Sequence, residues 1–535
     1  MQLHSSNLCF PNSSAYDSKG NIYVTGRFYD NITIEDTTLL TFNQDTGGIQ
    51  NHSDMYLAKL DSTGHLIWAL KGGVIGTQIV TGAQGAELCV DKWDNIYVAV
   101  IMWNDMIING DTLTRTTYGY CDMLLLKYNP DGELIWHRKS TGYGSFAGSV
   151  CCDNEGNILI SGSNQGINIY EGDSLVPRQY YYTFFAKYST NGDLLWLTKI
   201  DEGGVKVVQI RADNSGNIYT TGVYVGQVWF GDEFYFDDAV DRRIFVAKMN
   251  PSGKFVWART ETSPASDNVG LSVAVWENYL YTCGRLDPAS PAYGGNDVDT
   301  TISSFRDLAY VAKYDTSGQL IWFKITSWAK WLSVYKLTVS SSGIIAAIIG
   351  GLGIIYFPDT TYEFNPGQNL WYELDSLGNF ISINYYKMGF SSISDMSFWK
   401  NKLLITAAST DTVFLPIDTL ISSSPNDANG FLYQIKDNKY YATDDTEIIP
   451  ITNDVIIFPN PTTETISIKY FLSKSSDIII ELLDPTGRKL QSIKQGNKPA
   501  GEYVFQMNFN GLCSGMYLVN LKTGNNHNVH KVFKY

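Results

Sequence analysis

What most limits the fold of this chain is that its first four-fifths repeat one pattern of turn and strand. One half of the unit reads Asp-x-x-Gly-Asn-Ile-Tyr, at residues 17–23, 153–159 (Leu159 in place of Tyr) and 213–219, with a shortened form at 94–97. The other half reads Ala-Lys-Tyr-Asp-x-x-Gly-x-Leu-x-Trp, at 58–68, 126–136, 186–196, 247–257 and 312–322. Weaker copies of the first half lie at 277–281, 342–345 and 400–403, and of the second at 371–380 and 431–436. First halves number about seven at a period of roughly 60 to 70 residues, and a fixed period of this order marks an array of supersecondary units.

Each unit resolves into four short strands. An apolar stretch before the Asp is strand A, Asn-Ile-Tyr-Val-Thr-Gly is strand B, Tyr-Leu-Ala-Lys-Leu is strand C, and Leu-Ile-Trp with its followers is strand D. That is one propeller blade. Asp-x-x-Gly between A and B, and again between C and D, is tight-hairpin chemistry: Asp accepts hydrogen bonds from the turn's N–H groups and Gly takes positive φ. Read as calcium loops, these stretches lack the further carboxylates and the closing Glu, so no metal and no cofactor are assigned. The recurrent Trp of strand D and Ala of strand C form a large and small pair suited to packing blade on blade. The expected fold class is all-β, with a seven-bladed β-propeller over residues 1–440. Strands run A to D in order, so ring closure is expected to rest on packing of the first blade against the last, unless residues missing from the N-terminus add a strand.

These two half-motifs resemble the bacterial propeller repeats called SBBP, well in five units and with erosion in the rest. The resemblance implies an architecture and carries no single activity.

Both tight turns fall at one end of each blade, so the long B-to-C segments emerge at the other, top, end. That face is the expected binding site, because binding residues sit on loops held by a rigid scaffold. Arg27 and Arg285 follow the strand-B glycines of two units, with Trp103 and Tyr224 at similar depth, and these four are the candidate ligand residues. His-Glu-x-x-His, Gly-x-Ser-x-Gly and Cys-x-x-Cys are absent from the sequence, so no catalytic residue is assigned. The expected role is noncatalytic binding of a glycan, peptide or protein; the alternative is an extracellular hydrolase or lyase acting on polysaccharide with carboxylates of the same face. A net charge of −15 without clustered Lys and Arg argues against nucleic acid. No apolar run is long enough to span a bilayer, the nearest being the Gly-interrupted stretch 344–355. Of the seven cysteines, Cys89, Cys151 and Cys283 fall in strands and read as small buried residues, not as a disulfide framework.

The end of the chain is different in kind. Ile466, Ile468 and Tyr470 alternate with polar neighbours, and 478–483 is almost wholly apolar, as half-buried and buried strands of a small immunoglobulin-like β-sandwich read. Along it lie Pro459-Asn460-Pro461 after Phe458, an Asp-x-x-Gly-Arg turn with Gly487, a Ser-Gly-Met-Tyr strand with Gly515 and Tyr517, and a basic end with Lys531 and Lys534. In that order these resemble the C-terminal sorting domain of proteins exported by the type IX secretion system of Bacteroidetes-type bacteria. The resemblance implies a domain at 455–535, recognised by that machinery, and a secreted or outer-membrane-surface destination. Residues 441–454, acidic, Thr-rich and carrying Pro450, are the expected accessible linker. The first residues lack the basic and apolar regions of a signal peptide, so a truncated N-terminus is expected.

Overall fold

The protein is seen in a computed structural model. It describes residues 2–534 apart from 5–7, 43–51, 75–80, 117–120, 179, 202–203, 261–267, 287–306, 330, 358–360, 365–368, 386–390, 401, 410–412, 416–417, 421–428, 437–455, 459–461, 463, 473–474, 485–487, 500, 513–514 and 524–525. The expected linker 441–454 lies outside the described residues. Among those described the structure is all-β, without a helix, and the chain divides into two compact units, Met1–Tyr440 and Tyr441–Tyr535.

The first unit is a succession of antiparallel meanders. Repeat 1 runs through Cys9–Tyr16, Ile22–Tyr29, His52–Leu60 and Leu66–Val74 as strands A to D. Repeat 2 uses Thr81–Val90, Ile96–Met102, Asp122–Tyr128 and Leu134–Lys139. Repeat 3 uses Thr141–Cys152, Ile158–Tyr170, Tyr181–Tyr188 and Leu194–Asp201. Repeat 4 uses Lys206–Ala212, Ile218–Phe230, Phe234–Met249 and Phe255–Thr260. Repeat 5 uses Val269–Trp276, Tyr279–Leu286, Asp307–Asp315 and Leu320–Ala329. Repeat 6 uses Trp331–Val339, Ile345–Tyr356, Asn369–Leu374 and Phe380–Tyr385. Repeat 7 places Ser391–Trp399, Lys402–Ser409 and Asn429–Lys436 as A to C. Its fourth place is taken by the N-terminal strand Gln2–His4, with Gln2 opposite Phe431 and Leu3 opposite Gly430. Closure by packing alone is therefore corrected: the two ends of the unit are joined by backbone hydrogen bonds, which satisfy the edge that strand C would otherwise leave open.

The repeated residues act across repeat boundaries. The motif Lys and the motif Trp of one repeat donate to the same carbonyl in the C–D turn of the next: Lys59 Nζ (2.9 Å) and Trp68 Nε1 (3.2 Å) to Pro130, Lys127 and Trp136 to Thr190, Lys248 and Trp257 to Thr316. The motif Tyr lies beneath the pair, with Lys59 over the Tyr23 ring at 5.2 Å and Trp68 at 6.0 Å from it. Core side chains are accordingly shared between neighbouring sheets, as Tyr23 and Leu57 of repeat 1 with Val98 and Leu124 of repeat 2. In the turns, Asp17 Oδ1 accepts from the N–H of Lys19 and of Asn21, and Oδ2 from the Asn21 amide. In repeat 2 the turn Asp is Asp91, which makes the same bonds, while Asp94 occupies the glycine position at φ 67°; the repeat is not shortened but substituted.

The long B-to-C segments carry the second regularity. In several repeats they form hairpins that add to the outer strand of the preceding repeat: Met106–Ile108 pairs with strand D of repeat 1 (Ile108 opposite Gly72), Phe230 lies opposite Ile200 in strand D of repeat 3, and Asn31–Ile34 pairs with the N-terminal strand (Ile34 opposite Leu3). The Gly110-Asp111 and Gly172-Asp173 pairs are turns of such hairpins, with φ of 88° and 97° at the glycines.

The second unit has two antiparallel sheets. One orders Ile456–Phe458, Thr465–Leu472 and Gly501–Asn508; the other orders Lys489–Lys498, Ser476–Leu483, Gly515–Thr523 and Asn526–Lys534. Ile466, Ile468 and Tyr470 from the first and Ile478, Ile480, Val519 and Val532 from the second belong to one core.

Candidate functional site

Strand A lies at the edge of its own meander, and apart from Thr81 and Gly82, which face His52 and Ser53 of repeat 1, the N–H groups on its outer side need an acceptor other than a ladder partner. In each repeat this strand carries a β-bulge at one register, and the residue just after it is polar: Ser13, Glu87, Ser149, Gln209, Ser272, Lys336 and Asp395. A bulge twists the strand and re-aims the side chain, here toward the neighbouring strand A. Ser13 Oγ accepts from the N–H of Leu88 at 3.3 Å, Glu87 Oε2 from Val150 at 2.9 Å, and Ser149 Oγ from Ile210 at 3.2 Å. Gln209 Oε1 accepts from Val273 at 3.0 Å and Ser272 Oγ from Leu337 at 3.1 Å. Asp395 Oδ2 accepts from Ser14 at 2.9 Å and so returns the relay to repeat 1. Lys336 has no lone pair to offer; its ammonium instead meets Asp395 Oδ1 at 3.0 Å, and the Met396 N–H bonds that oxygen at 2.9 Å.

Charge concentrates on this relay. Glu87 Oε1 lies 3.1 Å from Arg211 Nη2 and 3.5 Å from Lys336 Nζ, so side chains of repeats 2, 4, 6 and 7 converge. Burial alone would raise the Glu87 carboxyl, but Arg211 and Lys336, with hydrogen bonds from Ser149 and Val150, outweigh it and hold the group below its ordinary range. Burial likewise opposes the charge on Arg211, and Glu87 overcomes it, lifting the guanidinium above its usual value. Two acids and two bases are thereby committed to one another.

The four residues singled out from the sequence sit in four different repeats, each engaged with its own surroundings. Arg27 Nη1 donates to Gln84 Oε1 at 2.9 Å and lies over the Phe10 ring. Trp103 meets Phe146 edge-on at 5.4 Å and its carbonyl accepts from Arg115. Arg285 pairs with Asp307 at 3.6 Å. Tyr224 is 0% exposed with its ring 6.5 Å from Phe245, a core ring and not a rim one. The charged relay is not among the residues the motifs single out; its signal in the sequence is a polar residue in an apolar strand, four places before the turn Asp, as Ser13 stands before Asp17 and Glu87 before Asp91.

Of the tail residues, Pro459, Asn460, Pro461 and Gly487 lie outside the described residues, as does the side chain of Lys531. Tyr517 is buried and packs edge-on against Phe509 at 5.7 Å. Gly515 opens the strand Gly515–Thr523. Lys534 Nζ donates to the carbonyls of Phe509 and Leu512, both at 2.8 Å.

Among solved structures, the chain is similar to a variant of Synechocystis apocarotenoid oxygenase, with 12% identity, 70% of this chain and 71% of that one covered and a TM-score of 0.35. It is also similar to a puromycin hydrolase variant complexed with PGG, with 9% identity, 86% and 58% covered and a TM-score of 0.38. At these values neither likeness assigns anything to this chain. No curated protein matches it. Residues 456–535 match the family model described as the secretion system C-terminal sorting domain, which marks the chain as a secreted or cell-surface protein.

Proposed function

We propose that this is an exported, noncatalytic binding protein: a seven-bladed β-propeller displayed outside the cell and addressed to the type IX secretion machinery by an immunoglobulin-like sandwich at 455–535. Support for the propeller comes from the succession of strands A, whose side-chain relay runs from Ser13 through Asp395 and back to Ser14. The hairpins contribute too, since Leu3 opposite Ile34 repeats the place of Gly72 opposite Ile108.

The observation that carries the noncatalytic reading is the mutual neutralisation of Glu87, Arg211, Lys336 and Asp395. A general acid or base needs a carboxyl poised near the working pH, whereas Glu87 is held ionised by two cations; Asp54, which burial lifts to about 6, accepts from the backbone N–H groups of Phe42 and Val74 and so serves the fold. The proposed ligand is a glycan, peptide or protein held at the end opposite the Asp-x-x-Gly turns, with Arg27, Trp103 and Arg285 as contacts and Tyr224 supporting from the core. The test is to screen the purified full chain against glycan and peptide arrays and against polysaccharides for cleavage. The expected result is a bound ligand whose affinity falls at least about tenfold, some 1.4 kcal/mol, when Arg27, Trp103 and Arg285 are all changed to Ala. Polysaccharide cleavage that disappears on replacing a surface carboxylate would replace this reading with a hydrolase or lyase.

A further inference from the structure

Three cysteines gather on the inner strands of repeats 2 and 3, and their chemistry is not absorbed by the relay. Cys89 stands two places after Glu87, and Cys151 and Cys152 two and three places after Ser149. Successive side chains of a strand point to opposite faces, and the vicinal pair is split accordingly. Cys151 belongs to the core shared by repeats 3 and 4, with Phe185 and Ile210. Cys152 faces the other way, into the core shared by repeats 2 and 3, where Cys89 packs beside it. The sulfurs of Cys89 and Cys152 lie 2.7 Å apart, well inside the roughly 3.5–4.0 Å at which non-bonded heavy atoms ordinarily rest.

We propose that Cys89 and Cys152 form a disulfide that ties strand A of repeat 2 to strand A of repeat 3 once the chain has left the reducing cytosol. The inference takes from the functional reading only that the protein is exported, and disulfides persist in such compartments. Its chemistry is thiol–disulfide exchange with a disulfide-bearing thiol oxidant. One cysteine, as thiolate, attacks the oxidant's sulfur to give a mixed disulfide; the second displaces the oxidant's thiol. The S–S bond forms as two protons and two electrons leave the cysteines, and the oxidant's own disulfide is reduced to two thiols, one released at each exchange. Cys151, held on the opposite face, stays reduced.

The cross-link encloses the whole of repeat 2 beyond its first strand, so its effect is to keep two neighbouring sheets from parting when their hydrogen bonds break. Constraining the unfolded chain in this way raises stability.

The test uses the full chain, equilibrated with oxidised glutathione so that the geometry is examined apart from export. Alkylation in denaturant, proteolysis without reduction and mass spectrometry should yield one cross-linked peptide pair joining Cys89 to Cys152, lighter by two hydrogens than the sum of its parts, with Cys151 alkylated. Wild type and Cys151→Ser should unfold at a midpoint a few degrees higher oxidised than reduced, and Cys152→Ser should show no such difference. Free thiols at both positions after oxidation, or a link between Cys151 and Cys152, overturns the proposal. A link found in vitro but missing from protein collected outside the cell also overturns it, whereas failure to recover the protein outside the cell would count against the export reading alone.

Discussion

Trp257 donates its indole N–H to the carbonyl oxygen of Thr316 at 3.2 Å, across the boundary from repeat 4 to repeat 5. The same carbonyl accepts from Lys248, so the oxygen keeps one partner if the indole is lost. Trp257→Phe should therefore cost only the hydrogen bond and part of the packing, about 1–2 kcal/mol. Trp257→Ala removes a ring that is 5% exposed and should cost about 3–5 kcal/mol. Urea denaturation followed by circular dichroism separates the two.

The glycine of the following turn is held by that ring. Gly318 sits at φ +84°, and a Cβ there would stand 2.9 Å from the Trp257 ring. Gly110 has a similar φ of +88° with nothing within 4 Å. Gly110→Ala should cost about 1 kcal/mol, the backbone term alone, and Gly318→Ala about 1–3 kcal/mol more because the ring must shift. Equal losses in denaturant midpoint at the two sites would contradict this account.

Leu3 is fully buried in the strand that completes repeat 7. Leu3→Ala should destabilise the first unit by about 2–5 kcal/mol. All 13 Trp precede residue 441, so tryptophan fluorescence reports on that unit and should record the whole loss.

Glu87 links pH to the relay. Its folded pKa is depressed below the ordinary value of 4.5, so its contribution is complete above that value and disappears as pH falls through the folded pKa. Glu87→Gln keeps an acceptor for Val150 but strips Arg211 and Lys336 of a counter-charge. At neutral pH it should cost about 1–3 kcal/mol, less than a fully buried pair would because Arg211 is partly exposed. Thermal midpoints taken from pH 7 to pH 3 should fall less steeply in the variant than in the wild type.

In the tail, Lys534→Met removes two bonds to the carbonyls of Phe509 and Leu512. The second unit should lose about 1–3 kcal/mol, seen as faster amide exchange across Gly515–Thr523, while tryptophan-monitored unfolding stays where it was.

Much of this was legible in the chain because the repeat is made of short-range rules. Asp17 and Gly20 specify a turn from four residues alone, through N–H acceptance and positive φ, and alternation marks the strands. Even so, Asp91 does not stand out as a turn residue because Asp94 occupies the glycine place, a substitution that turn chemistry tolerates but a motif does not reveal.

What the sequence alone determined was local: the strand and turn order of each repeat, the all-β class, and the order of motifs in residues 456–535 that the family match identifies. What only the tertiary structure decided was which residue faces which. Leu3 meets Gly430, Arg211 meets Glu87, and Cys89 meets Cys152 while adjacent Cys151 does not. These pairings join residues 63 to 427 positions apart, and no local preference encodes them. They follow from the register of the bulge in strand A and from edge N–H groups that must find an acceptor on the next repeat.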